Sequence, residues 1–263
     1  MIKALCRSVE RIVLDSILRR EINYRVYLKM RYGAGTPFGY PDICVDNRVL
    51  KTREEWVNAL KEIRRLRLPP HPDPVKNWDT LAALGWILGS TRATGWILDA
   101  GAELYSMMLP WLYLYGYKNM IGNNLIFTKP LRRGPIRYQY GDITKTDFRE
   151  NTFDAVSCLS VIEHGVDLDA YFREMSRILK PNGILVTSTD YFDTPPSTKG
   201  LCAYGAPIHI FSTNEIVSAL DLARKYGLEI TSPIDLSCGD KPVVWKKFGL
   251  QYTFIIFNLR KMS

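Results

Sequence analysis

A chain of 263 residues, 46% of them apolar, has the length for one large domain with additions or at most two small ones, and its longest apolar stretch, 107–117, holds Pro110 and is too short to span a bilayer. The five cysteines (Cys6, Cys44, Cys158, Cys202, Cys238) are odd in number and contain no C-x-x-C pair, and the three histidines (His71, His164, His209) lack carboxylates at ligand spacing, so neither a disulfide framework nor a metal is expected and a reducing cytoplasm is the simplest home. The net charge of +8 is uneven: residues 1–70 hold 15 Lys/Arg against 8 Asp/Glu, and the rest hold 20 against 19. Solvated basic helix faces are the ordinary reading of that bias. Weak attraction to an anionic membrane surface stays open, and no nucleic-acid partner is expected.

In chain order, Leu5, Val9, Ile12, Val13, Ile17 and Ile22 recur at a helical period and predict an amphipathic helix over residues 2–31. Thr52-Arg53-Glu54-Glu55 reads as a capping box opening a second helix, closed by the prolines at 69, 70, 72 and 74. A third, over 78–88, delivers the chain to Gly95-Trp96-Ile97-Leu98-Asp99-Ala100-Gly101, a buried strand and its turn. Residues 118–125 read as the next strand. No signal peptide or membrane span is apparent near the N-terminus.

The most informative run is 141–190. Asp142 follows a strand; Phe153-Asp154-Ala155-Val156 opens another that ends near Ser160; Glu163-His164 follows; and a helix over 168–179 leads through Lys180-Pro181-Asn182-Gly183 into the apolar strand 184–189. Ser212 then caps a helix over 213–226, and 228–230 and 252–259 are the closing strands. This order resembles the class I S-adenosylmethionine (SAM) dependent methyltransferases over about residues 76–261. The resemblance implies an α/β fold: a Rossmann-like, seven-stranded, mostly parallel sheet with helices on both faces and only the last strand reversed. It also implies a division into an N-terminal helical extension or lid (1–90) and a methyltransferase-like domain (91–263).

By the same resemblance, SAM is the cofactor, held by Asp99 (amino acid end), Gly101, Asn124 (ribose), Asp142 with Ile143 (adenine) and Ser160. Family members usually carry three glycines after the first strand; here Glu103 and Tyr105 stand in two of those places, and Asn124 replaces the usual acid. The neutral amide lowers a hydrogen bond from about 1.5–3 to about 0.5–1.5 kcal/mol, roughly tenfold in affinity. Glu103 either points outward or reaches the cofactor's amino group. His164 and His209 are the candidate bases, since an imidazole titrates near neutrality and can take an acceptor's proton. Glu163, Asp190, Tyr191 and Tyr204 are the candidate acceptor-binding residues, and His71 reads as a surface residue.

No G-x-S-x-G elbow, P-loop or G-x-G-x-x-G turn is present, which excludes the common hydrolase, P-loop and dehydrogenase readings. The sequence therefore favours an enzyme methylating oxygen or nitrogen on a small polar molecule. The chain resembles bacterial proteins sharing the CLSVIEHGVDLDAYFRE run, which are often associated with surface-glycan or secondary-metabolite biosynthesis, and a glycan or glycan precursor is the expected acceptor. A non-catalytic binding or scaffold protein of the same fold is the alternative, and a nucleic-acid methyltransferase the third reading.

Overall fold

The computed structural model describes residues 13–43 and 46–263. The first part of the helix expected at 2–31, with Cys6, lies outside these residues, as does Cys44. Within them residues 13–18 are helical, and after a break at Arg19-Arg20 helix α1 (Glu21–Tyr32) follows. The remaining early elements are β1 (Asn47–Val49), α2 (Arg53–Arg65), α3 (Lys76–Ser90), β2 (Trp96–Ala100), α4 (Met108–Leu114) and β3 (Asn119–Asn123). They lead to β4 (Leu131–Arg133), β5 (Ile136–Gln139), β6 (Phe153–Leu159), α5 (Leu168–Ile178) and β7 (Leu179–Tyr191). A small hairpin, β8 (Cys202–Ala203) and β9 (Ala206–Pro207), precedes α6 (Thr213–Lys225), β10 (Leu228–Ile230), β11 (Ile234–Asp235), β12 (Val243–Trp245) and β13 (Leu250–Lys261).

The spine of the main sheet runs β5-β3-β2-β6-β7-β13, with β10 on the far edge of β13, and in this seven-stranded core β13 alone runs against the others. That is the expected α/β architecture. The whole sheet has 11 strands rather than seven because β13 is 12 residues long, and β12, β1 and β10 share its outer edge in succession. Strand β4 adds a hairpin to β5, and β11 pairs with β1. The N-terminal extension thus supplies a strand as well as helices. The Asn47 side chain anchors it, donating to Ser232 O (2.8 Å) and accepting from Asn258 N (2.7 Å).

Alternation along the strands divides the core. Ile97, Met120, Ile184, Val186 and Ile256 face the N-terminal helices, whereas Leu98, Ile121, Leu185, Ile255 and Phe257 face α5 and α6. Both faces are covered, as a parallel sheet requires. The caps differ in outcome. Ser212 and Glu215 form the reciprocal box at α6, but Thr52 makes no side-chain cap at α2. Glu55 is drawn off to Arg48 (3.0 Å) and to the Lys51 N–H (3.2 Å). The Pro181-Asn182-Gly183 segment is not a free turn after a helix; it lies inside β7, with Asn182 left-handed (φ 64°) where the register with β6 slips.

Candidate functional site

The carboxyl ends of β2, β3 and β5 meet at Gly101. Its φ of +84° suits glycine, and a Cβ there would lie 2.4 Å from Val161 Cγ2, so only glycine lets the two loops approach. Asp99, two residues earlier on β2, is buried and accepts from Ser157 Oγ (2.8 Å); burial is the main cause that lifts its carboxyl to about 7. A narrow cleft of about 30 Å³ lies over this edge, lined by Asp99, Gly101 and Leu159 from the sheet and by His71, Lys76 and Thr80 from the N-terminal segment.

The other cofactor candidates are held by their own neighbours. Asn124 Nδ2 donates to Gly101 O (2.9 Å), and its Oδ1 accepts from Ile126 N (3.2 Å). Asp142 Oδ1 accepts from both the backbone and the hydroxyl of Thr144 (2.8 and 2.7 Å), closing a turn, while Ile143 is buried against the α5 face. Burial and the neighbouring Glu103 raise the Tyr105 phenol, and the Glu103 backbone N–H donates to Ser106 Oγ (3.0 Å). Asn123, fully buried beneath Gly141, has no hydrogen-bond partner for either amide atom. These residues fit SAM in part. Gly101 offers backbone and Asp99 a carboxyl, but the Asn124 amide is committed to protein carbonyl and amide groups.

A different chemistry occupies the ends of β6 and β7. Ser160 sits left-handed (φ 52°) with its N–H on Ser188 O (3.0 Å), and its hydroxyl meets Lys76 Nζ. Lys76 also pairs with the fully buried Asp79 and lies over the Phe254 ring (4.2 Å to its centroid). Asp79 in turn accepts from Ser188 Oγ (2.6 Å). Glu163, 1% exposed, accepts from Thr189 Oγ1 (3.0 Å), and burial pushes it up to about 7 against the pull of Lys76. Asp190 is raised well above the carboxylate range by burial and by Glu163, with Lys76 and Tyr252 pulling the other way. One lysine therefore faces three buried carboxyl groups.

His164 stands beside this cluster. Its Nδ1 is buried without a partner, its ring packs edge-on against Tyr204 (5.5 Å), and burial together with Lys76 lowers its pKa. Tyr204, at the tip of the β8–β9 hairpin, is mostly exposed. The His209 backbone donates to Glu163 O (2.9 Å), but the ring turns to Glu215 Oε1 (2.9 Å) and Phe211. Tyr191 is buried on the α6 face, its hydroxyl bound to Thr213 and to Leu236 O, both 2.8 Å. His71 is half-buried rather than on the open surface. Asn77 binds the backbone of His71 (2.8 Å) and of Pro74 (3.0 Å), pulling the proline-rich segment over the cleft, and burial lowers the imidazole's pKa. Sequence reasoning missed Lys76, Asp79 and Tyr252; the available signal was a charged first turn on α3, which is otherwise apolar.

Residues 117–187 match the methyltransferase domain family. A sterol 24-C-methyltransferase from Yarrowia lipolytica is 28% identical over 120 residues, 42% of this chain and 30% of that protein. A ubiquinone biosynthesis O-methyltransferase from Rhodopseudomonas palustris is 40% identical over 55 residues, 21% of each. Both alignments thus span less than a third of the relatives' lengths. Among solved structures, geranyl diphosphate C-methyltransferase from Streptomyces coelicolor A3(2) superposes with a TM-score of 0.54 at 17% identity, over 91% of this chain and 92% of that one, a likeness of fold. The family match over 117–187 and the likeness of fold together make the chain similar to SAM-dependent methyltransferases.

Proposed function

We propose that this chain transfers the methyl group of SAM to an oxygen or nitrogen of a small, hydroxyl-bearing molecule, a glycan precursor being the acceptor class first tested. The observation that carries the reading is the shared edge: Asp99 and Gly101 line one cleft with Lys76, and Lys76 reaches across to Ser160 beside Glu163-His164. When bound, SAM supplies an activated methyl on a sulfonium. Asp99 holds the ammonium of its amino acid end, Gly101 gives close backbone approach, and Asp142 with Ile143 borders the adenine. His164, neutral at pH 7 because its pKa is lowered, takes the acceptor's proton at Nδ1. Glu163 and Asp190 accept hydrogen bonds from acceptor hydroxyls, and Tyr204 covers them. The Lys76 segment excludes water and fixes the alignment.

The alternative, a non-catalytic binding protein, draws support from the committed Asn124 amide and from a cleft far below the about 300–1,000 Å³ of ordinary ligand pockets. Calorimetric titration with SAM and with its demethylated product, followed by transfer of labelled methyl to candidate acceptors, separates the two. Micromolar binding of both is expected, and absence of binding favours the alternative. In an active preparation His164→Gln should lower turnover about 10²–10⁴-fold with cofactor affinity unchanged. Label recovered on carbon, the reaction for which the Yarrowia relative is named, would sink the oxygen-or-nitrogen assignment.

A further inference from the structure

Helix α1 touches the rest of the molecule along one side. Tyr24 and Leu28 are buried, Tyr24 against Tyr113 (5.5 Å between ring centroids) and against the β4–β5 turn, where Gly134 N donates to Leu18 O (2.8 Å). On the other side Ile22, Val26 and Met30 are 72%, 49% and 82% exposed. Their i, i+4, i+8 spacing aligns them in one row along the helix. Arg25 and Lys29 flank that row, Arg31 follows it, and Arg19 with Arg20 precedes it; all five are exposed. Just upstream, Val13 and Ile17 are about half exposed.

The acids of this stretch are engaged elsewhere. Asp15 pairs with Arg133 (3.1 Å) and Glu21 with Lys118, while none of the five cations has an ion-pair partner among the described residues. A single exposed isoleucine needs no explanation, but three large apolar side chains in a row among unpaired cations do. Nucleic acid would use the cations and leave the apolar row in water. A two-fold contact between copies would bring the same cations face to face. An anionic bilayer satisfies both features, since the apolar row enters the headgroup–acyl boundary while the cations meet lipid phosphates.

We propose that α1 is a docking helix that seats this protein on an anionic membrane surface through Ile22, Val26 and Met30, with Arg25 and Lys29 as its principal electrostatic contacts. The segment just before the helix is tethered to the site: Arg133, which pairs with Asp15, also donates to Leu104 O (3.2 Å) in the turn that follows Gly101.

The test is co-sedimentation of the full chain with vesicles of phosphatidylcholine alone or with added phosphatidylglycerol. Binding to the anionic vesicles that falls as salt rises is expected. Removing both charges in R25Q/K29Q should weaken it about 25-fold, roughly fivefold per charge. I22S/V26S/M30S should weaken it by more than about tenfold, since it removes all three apolar anchors. Both variants should keep the native melting temperature, because every altered side chain is solvent-exposed. Absence of binding by the native chain, or unchanged binding by either variant, overturns the proposal. So does a native dimer that the serine variant converts to a monomer with vesicle binding intact, or RNA binding that only the charge variant loses while vesicle binding persists.

Discussion

Along β2, β3 and β5 the carboxyl edge presents Gly101, the buried amide of Asn123 and the engaged amide of Asn124, whereas along β6, β7 and β13 it presents Glu163, Asp190 and Tyr252, with Lys76 and Asp79 facing them from α3. Apart from the buried Asp99 carboxyl, the first half is assembled from backbone and neutral dipoles and is held by close packing. The second is assembled from buried charges, and its stability depends on how they are paired. The contrast separates two kinds of fragility: steric substitution should break the first half at every pH, while the second should respond to pH and to loss of a single cation.

Lys76→Met should have the largest effect. It leaves Asp79, Glu163 and Asp190 buried without their cation, and breaking a buried pair costs about 3–5 kcal/mol, measured by urea unfolding near neutral pH. The loss should shrink in acid, where the carboxyl groups protonate; an equal loss at both ends of the pH range would show that packing, not charge, is what Lys76 provides. Gly101→Ala comes next, at about 3 kcal/mol, from left-handed strain plus overlap with Val161. Adding Val161→Ala should recover the overlap and leave the strain. If the single variant unfolds like the native chain, the close approach at Gly101 is not what shapes this half.

Glu163 gives the pH test. Its folded pKa of about 7 lies above the unfolded value, so between about pH 4.5 and 7 the unfolded state has released a proton that the folded state still holds, and stability falls as pH rises through that window. Glu163→Gln removes this slope. The variant should gain stability relative to the native chain as pH rises from about 4 to 8, since Asp190, which Glu163 helps to raise, is relieved at the same time. Asp99, also raised to about 7, keeps its own slope in both proteins and cancels from the difference. A pH-independent difference would mean that Glu163 is charged throughout.

Much of this contrast was legible in the sequence, but unevenly. The strands themselves followed from apolar runs punctuated by Gly, Pro and Asn, and the reversed last strand from the resemblance to the methyltransferase family. The positions of Asp99, Gly101, Glu163 and Asp190 near strand ends followed from the same pattern. What escaped was everything brought in from afar. Lys76 and Asp79 lie 81 or more residues before Ser160 and Glu163, and nothing local marks a lysine that will be buried across a sheet. The extra strands were illegible for a related reason: Asn47-Arg48-Val49 is three residues long and becomes a strand only because β13 offers an unpaired edge. His71 was misplaced because a proline-rich composition describes a loop and does not say where the loop is tied.

The smallest expected effect probes the neutral half most sharply. Restoring the acid usual in the family, Asn124→Asp, should tighten SAM binding about tenfold if that side chain faces the ribose. The structure argues the opposite. Asn124 Nδ2 donates to Gly101 O at 2.9 Å, and aspartate has no donor to put there, so a carboxylate oxygen would be forced against a carbonyl oxygen. The bond from Ile126 N to Oδ1 survives the change, which limits the damage. The expected outcome is a loss of about 1–2 kcal/mol in stability, from one broken hydrogen bond and the repulsion that replaces it, with no gain in SAM affinity. Tenfold tighter binding with an unchanged melting curve would show that the amide turns toward the ligand, and the two halves of the site would then differ only in charge and not in how they are held.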